Sequence, residues 1–259
     1  MYAVALLTDF GDSDGFVGMM KGAMLKIAPN LQIIDMTHNI TSFDIRAAAF
    51  LLERSLVHYP LGTVFCVVVD PGVGSDRQII AAKAGGYHYV APDNGVLSYA
   101  LRGREDRQLV TIENRELDAP DSGKTFQGRD IMAPAAARMA SGTSLDALGK
   151  QVGAYQVLSI PNLHKHESHV IGEVMYVDKF GNMITNITKE NLPKVPENGK
   201  LKVTVGESDF AGFAENYSAG SGLSAIICGF GTVELFINQG SAASQFKNPI
   251  GTPVAIVVE

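Results

Sequence analysis

In the first part of the chain, short apolar runs alternate with segments of helical period. Residues 3–7 form an apolar run that stops at the polar turn Thr8-Asp9-Phe10-Gly11-Asp12. Phe16, Val17, Met20, Ala23, Met24 and Ile27 then fall at helical spacing, and Pro29-Asn30 closes the segment. Residues 31–36 read as a second strand ending in Thr37-His38-Asn39. Asp44 stands where it can cap a helix carrying Ile45, Ala48, Ala49, Leu52 and Leu56 on one face. A third apolar run, residues 64–69, ends abruptly in Asp70, with Pro71, Gly72 and Gly74 close behind. This alternation predicts a mainly parallel sheet with flanking helices. The polar strand ends Asp9, His38-Asn39 and Asp70 then share one edge, where open α/β sheets hold their ligands.

Further on, residues 78–84 and 87–91 read as a hairpin joined by Gly85-Gly86, and Pro92-Asp93-Asn94-Gly95 as a turn opening a short helix through Leu101. Residues 109–112 are a further strand. A polar approach from Ser122 leads to a helix over 130–140, with Asp130 suited to its start. Past about residue 153 the helical period fades. Residues 170–177, 183–187, 201–205, 224–228, 233–238 and 253–258 read as short, turn-separated strands. The expected architecture is an α/β N-terminal domain over 1–160, a linker over 161–169 and a smaller all-β, barrel-like C-terminal domain over 170–259.

The composition narrows the class. Of 259 residues, 46% are hydrophobic and 19% charged, as in an ordinary globular protein. A net charge of −6 does not suggest a nucleic-acid or anionic-membrane partner. Cys66 and Cys228 lie in apolar runs and read as core thiols. Met1 begins a segment with no basic region, and no apolar run is long enough to span a bilayer, so a cytoplasmic protein without a signal peptide is expected. His164, His166 and His169 read as a solvated connector rather than a metal site, because no acidic or cysteine ligand stands at a motif spacing. Arg77 follows Asp70 by seven residues, and the pair reads either as site chemistry or as an ion pair pinning the loop.

Six motifs occur in register: Thr8-Asp9-Phe10-Gly11, Asp70-Pro71-Gly72-Val73-Gly74, Pro92-Asp93-Asn94-Gly95, Thr125-Phe126-Gln127-Gly128-Arg129-Asp130, Asp178-Lys179-Phe180-Gly181-Asn182 and Asn238-Gln239-Gly240-Ser241-Ala242-Ala243. The set resembles the S-adenosylmethionine hydroxide adenosyltransferases, relatives of the fluorinase and chlorinase. The resemblance implies in-line attack of water or hydroxide at the ribose C5′ of S-adenosylmethionine, releasing adenosine and L-methionine. It also implies a homotrimer with sites at subunit interfaces, and no metal or second cofactor.

Carried over residue by residue, Asp70 and Arg77 match the catalytic carboxylate and its partner. Gln127 stands where the family pattern has histidine; it can donate and accept hydrogen bonds but cannot titrate. That departure leaves open a natural variant, an engineered substitution, or a protein that binds S-adenosylmethionine or adenosine with little turnover. Asp9 resembles the ribose-hydroxyl acceptor, Phe43 an aromatic wall, Asp178 the contact to the methionine ammonium and Asn182 that to adenine. Gly240 resembles a backbone contact to the adenine edge, and Asn94, Asn238 and Ser241 are further binding candidates. A halogenase is disfavoured, because Asp70 would set a negative charge in a halide pocket.

Overall fold

The computed structural model describes residues 2–113, 123–197 and 199–259; of the residues named above, Met1 and Ser122 lie outside them. The chain divides into two compact units, Met1–Ser159 and Ile160–Glu259. No helix among the described residues is long and apolar enough to cross a membrane.

The first unit runs β1 (Val4–Thr8), α1 (Phe16–Ile27), β2 (Ile33–Thr37), α2 (Ile45–Ser55), β3 (Val64–Val68), β4 (Ile79–Ala84), β5 (Tyr87–Pro92), α3 (Ser98–Leu101), β6 (Gln108–Thr111), α4 (Ala133–Ala140) and α5 (Leu145–Leu148). Its sheet has the order β2-β1-β3-β5-β4-β6. β1 lies parallel to β2 and β3, and β3 is parallel to β5. The β4–β5 hairpin is antiparallel, with Gly85 and Gly86 at φ 58° and 81° in its turn. Every residue of β1 and β3 is buried, as central strands of a covered parallel sheet require. Val4, Leu6, Val64, Cys66 and Val68 pack in one cluster with Met20, Met24 and the alanines of α4, whose small side chains admit a close helix. Asp44 caps α2 by accepting from Ala47 N–H at 2.9 Å.

The expected helix over 130–140 starts differently. Gly128–Met132 forms a π-helical turn with Gln127 at its N-cap position, and α4 begins only at Ala133, with Pro134 in its first turn. Asp130 is therefore inside the turn, 1% exposed, and caps nothing. Its carboxylate accepts from Gly123 N–H at 3.0 Å and from Arg129 Nε at 2.6 Å, which satisfies a buried charge.

The second unit is antiparallel: β7 (His164–Lys165), β8 (His169–Val177), β9 (Met183–Thr188), β10 (Leu201–Val205), β11 (Ser208–Ala211), β12 (Leu223–Ile227), β13 (Thr232–Ile237) and β14 (Pro253–Val258). The order β11-β10-β14-β8-β9-β13-β12, with β7 on β8, makes a nearly closed, barrel-like sheet. Val170, Val174, Met183, Val203, Leu235 and Ile256 belong to its core. Two strands depart from the sequence reading. β7 lies within the expected linker, where its exposed residues pair with Val170 and Ile171 by backbone alone. β11 pairs with β10 across Gly206-Glu207, its register fixed by Asp209, which accepts from Thr204 Oγ1 at 2.8 Å and pairs with Lys202 at 3.1 Å.

Candidate active site

Asp70 stands just past β3, at the edge expected to carry ligands. The loop after it folds back in tight turns. Val73 N–H donates to Asp70 O at 3.2 Å and Ser75 N–H to Gly72 O at 3.0 Å. Gly74 has φ +80°, and a Cβ there would lie 2.9 Å from Lys124 O, so only glycine fits. These turns return Arg77 to Asp70. Its Nε lies 2.9 Å and 3.0 Å from the two carboxylate oxygens, and its Nη2 donates to both Asp70 Oδ2 and Gln127 Oε1. The side chains of Arg77 and Asp70 are 10% and 4% exposed, so each charge compensates the other in place of water. The ion pair pins the loop, as one of the two expected readings has it.

Gln127 reaches the pair because the turn after it lies against β3. A Cβ on Gly128 would sit 3.1 Å from Val68 Cγ1 and 3.6 Å from Met20 Sδ. Asp9 follows β1 and accepts from Phe43 N–H at 2.8 Å through Oδ2. Phe43 is 68% exposed and holds φ 69°, an uncommon conformation for a bulky residue and one that marks functional loops. Asp9, Phe43, Asp70 and Gln127 all line one cavity of about 820 Å³. Asn94 does not line it. Its Nδ2 donates to Val69 O at 2.9 Å and its Oδ1 accepts from Val96 N–H at 3.1 Å, so it braces the strand end that presents Asp70.

The sequence reading missed part of this cavity. Phe10, Phe16 and Phe126 meet edge-on or tilted at 5.3–5.8 Å between ring centroids, and Arg129 lies over Phe126 at 4.8 Å. Asp14 adds a further lining carboxylate. Phe16 fits a core-facing helical period, yet it is 41% exposed.

In the second unit, a cavity of about 610 Å³ is lined by Asp178, Asn182, Asn238, Gly240 and Ser241, with Tyr217. Asp178 is held by its own turn. Its Oδ1 accepts from the N–H groups of Phe180 and Asn182, both at 2.9 Å, and its Oδ2 from Asn182 Nδ2 at 3.0 Å. Gly181 has φ +84°, and a Cβ there would lie 2.0 Å from Ser241 Oγ; its carbonyl accepts from Ala243 N–H at 2.9 Å. The loops at 178–182 and 238–243 therefore abut.

Tyr217 was not foreseen. Its hydroxyl donates to Glu234 Oε1 at 2.9 Å, and Glu234 is 3% exposed. Burial pushes the Glu234 carboxyl above its ordinary value, and burial with the Glu234 contact pushes the Tyr217 phenol up to about 12. The signal was a lone glutamate inside the apolar run Val233-Glu234-Leu235. Among the described residues, no group of three or more His, Cys, Asp or Glu is placed to hold a metal ion.

A mainly parallel sheet with a partly buried Asp–Arg–Gln constellation beyond one strand end, and an antiparallel unit with a carboxylate-bearing turn, agree with the comparisons to known proteins. Residues 4–149 match the SAM hydroxide adenosyltransferase N-terminal domain, and residues 172–255 match the C-terminal domain of that family. The chain belongs to the SAM hydroxide adenosyltransferase family. It is 32% identical to an (R)-S-adenosyl-L-methionine hydrolase of Thermus thermophilus over 99% of this chain and 100% of the relative. It is 38% identical to a protein of the same name from Salinispora tropica over 70% of each chain. A solved structure of a conserved protein from Thermotoga maritima superposes with a TM-score of 0.88 at 34% identity, covering 98% of this chain and 99% of that one.

Proposed function

We propose that this protein hydrolyses S-adenosyl-L-methionine to adenosine and L-methionine. The oxygen of water or hydroxide attacks the ribose C5′ opposite sulfur. The C5′–S bond breaks, its electron pair stays on sulfur, and methionine leaves as a neutral thioether. The proton of the attacking water passes to Asp70 or to solvent. A sulfonium is already activated, so the reaction needs neither an acid nor a metal at the leaving group. What it lacks is a nucleophile held in line and stripped of competing solvent.

The observation that carries this reading is that Asp70 and Gln127, bridged by Arg77, line the same cavity as Asp9. In the proposal, Asp70 holds the water and accepts its proton, and Arg77 fixes Asp70. Asp9 accepts the ribose hydroxyls and Phe43 forms a wall. Asp178 receives the methionine ammonium; its Oδ1 is filled by two amides of its turn, while Oδ2 takes one hydrogen bond and keeps a lone pair. Asn182, Asn238, Gly240 and Ser241 meet the adenosine end, and Asn94 acts by bracing β3. The names of the hydrolase relatives support the same reaction.

The carried-over binding residues divide between two cavities, one in each unit. This division supports a homotrimer in which the first unit of one subunit and the second unit of its neighbour share each substrate. Light scattering should then give three times the 27.6 kDa chain mass. A cytoplasmic location goes with this reading; Cys66 and Cys228 are free, buried thiols, as is usual in a reducing compartment.

Gln127 favours a second reading, binding with little turnover, because it cannot titrate. Against that reading, its Oε1 accepts from Arg77, as a neutral imidazole nitrogen would. The test is incubation with S-adenosylmethionine, with and without chloride, and chromatography of the nucleosides. Adenosine is expected in both. 5′-Chloro-5′-deoxyadenosine would instead establish a halogenase, and bound substrate without any nucleoside product would establish the binding protein.

A further inference from the structure

Beside Asp9 runs a polar chain, buried at Thr8 and His38 and open to solvent at Asp35 and Lys21, that the proposed chemistry does not use. Thr8 closes β1 and is fully buried, and His38 follows β2 and is 5% exposed. Thr8 Oγ1 lies 3.0 Å from His38 Nδ1. His38 Nε2 lies 3.0 Å from Asp35 Oδ1, off the line of an ideal hydrogen bond, and Asp35 Oδ2 accepts from Lys21 Nζ at 2.6 Å. A hydroxyl, an imidazole and a carboxylate in this order are the parts of a hydrolytic triad. Burial denies Thr8 any contact with a substrate, so it is no nucleophile.

What the chain touches is the loop that carries Asp9. Phe10 N–H donates to Thr8 Oγ1 at 3.3 Å, closing a short turn around Asp9. Gly11 N–H donates to His38 O at 2.8 Å, which ties the same loop to the end of β2. With one lone pair of the Thr8 hydroxyl given to Phe10, its proton is free for His38 Nδ1. The other ring nitrogen, Nε2, faces Asp35 Oδ1. Asp9 is thus bracketed by the relay on its backbone, while its carboxylate takes Phe43 N–H on Oδ2 and leaves Oδ1 for a substrate hydroxyl.

We propose that Thr8, His38 and Asp35 form a positioning relay that holds Asp9 in the pose that reads ribose hydroxyls. The relay thereby sets selectivity for a ribonucleoside over its 2′-deoxy form. This inference rests on Asp9 being the ribose acceptor, and the test separates the two claims. Calorimetric affinities for adenosine and 2′-deoxyadenosine are measured for the parent, Thr8→Val, Thr8→Ser and Asp9→Asn, with the melting temperature of each. Valine keeps the shape of threonine in a packed strand and removes only the hydroxyl. The parent should prefer adenosine. Thr8→Val should narrow that preference about three- to tenfold, the worth of one hydrogen bond, and Thr8→Ser should restore it. A chain that only braced the fold would lower the melting temperature and leave the preference intact. An unchanged preference in Thr8→Val, with Asp9→Asn abolishing it, overturns the relay alone. An unchanged preference in Asp9→Asn overturns the ribose reading and the relay with it.

Discussion

The two cavities hold their carboxylates by different means. Asp70 is fixed by a guanidinium seven residues on, which also binds the distant Gln127, so two separate segments converge at one strand end. Asp178 is fixed by amides within a five-residue turn. A guanidinium fork fixes the direction of a carboxylate and compensates its charge where water is scarce. Amides in a tight turn place a carboxylate without neutralising it, which suits the capture of a cation. The first arrangement needs tertiary structure and the second is written locally; the proposed function gives chemistry to the first and binding to the second.

Substitutions can break that contrast, the largest effect first. Asp70→Asn should lower kcat by about a hundredfold or more, the range of general acid–base groups, with adenosine affinity little changed. Asp178→Asn should do the reverse, raising KM by about tenfold, the worth of a charge-assisted hydrogen bond, with kcat nearly kept. Steady-state kinetics on both variants checks the pair; equal losses of kcat would erase the distinction. Gln127→His should speed turnover by roughly tenfold, at the low end for a group that can titrate. No gain would mean that accepting from Arg77 is all this position does.

The smallest effect concerns stability around Glu234. Burial raises its carboxyl above 4.5, and the Tyr217 hydrogen bond offsets this only in part. The folded chain then holds the proton more tightly than the unfolded one. That stabilisation is present below the ordinary value and is lost as pH climbs through the raised one. Glu234→Gln has no proton to lose, so its melting temperature relative to the parent should rise between about pH 4 and about pH 8. A constant difference across that interval would show that Glu234 does not titrate differently in the fold.

The parallel core was legible because β1 and β3 are continuous apolar runs ending in polar turns, a pattern set by burial on both faces. The second unit was legible from its alternating strands. β7 and β11 were not, because the two exposed residues of β7 pair through their backbone and the four-residue β11 packs only Phe210 against the core. Asp130 was misread because a polar residue before an apolar run suggests a cap, whereas here it is buried against Arg129 and Gly123. Asp9, Asp70 and Gln127 were singled out through motifs whose order carries the resemblance, and Arg77 by its spacing from Asp70. Phe16 and Tyr217 were not: helical spacing cannot tell a core face from a cavity wall, and nothing near Tyr217 in sequence points to Glu234.

The central claim is that water, ordered by Asp70, attacks carbon rather than sulfur. The most direct measurement is mass spectrometry of both products formed in water labelled with heavy oxygen. The account predicts one labelled oxygen in the 5′-hydroxyl of adenosine and none in methionine. Unlabelled adenosine, or label retained in the methionine fragment, would contradict it.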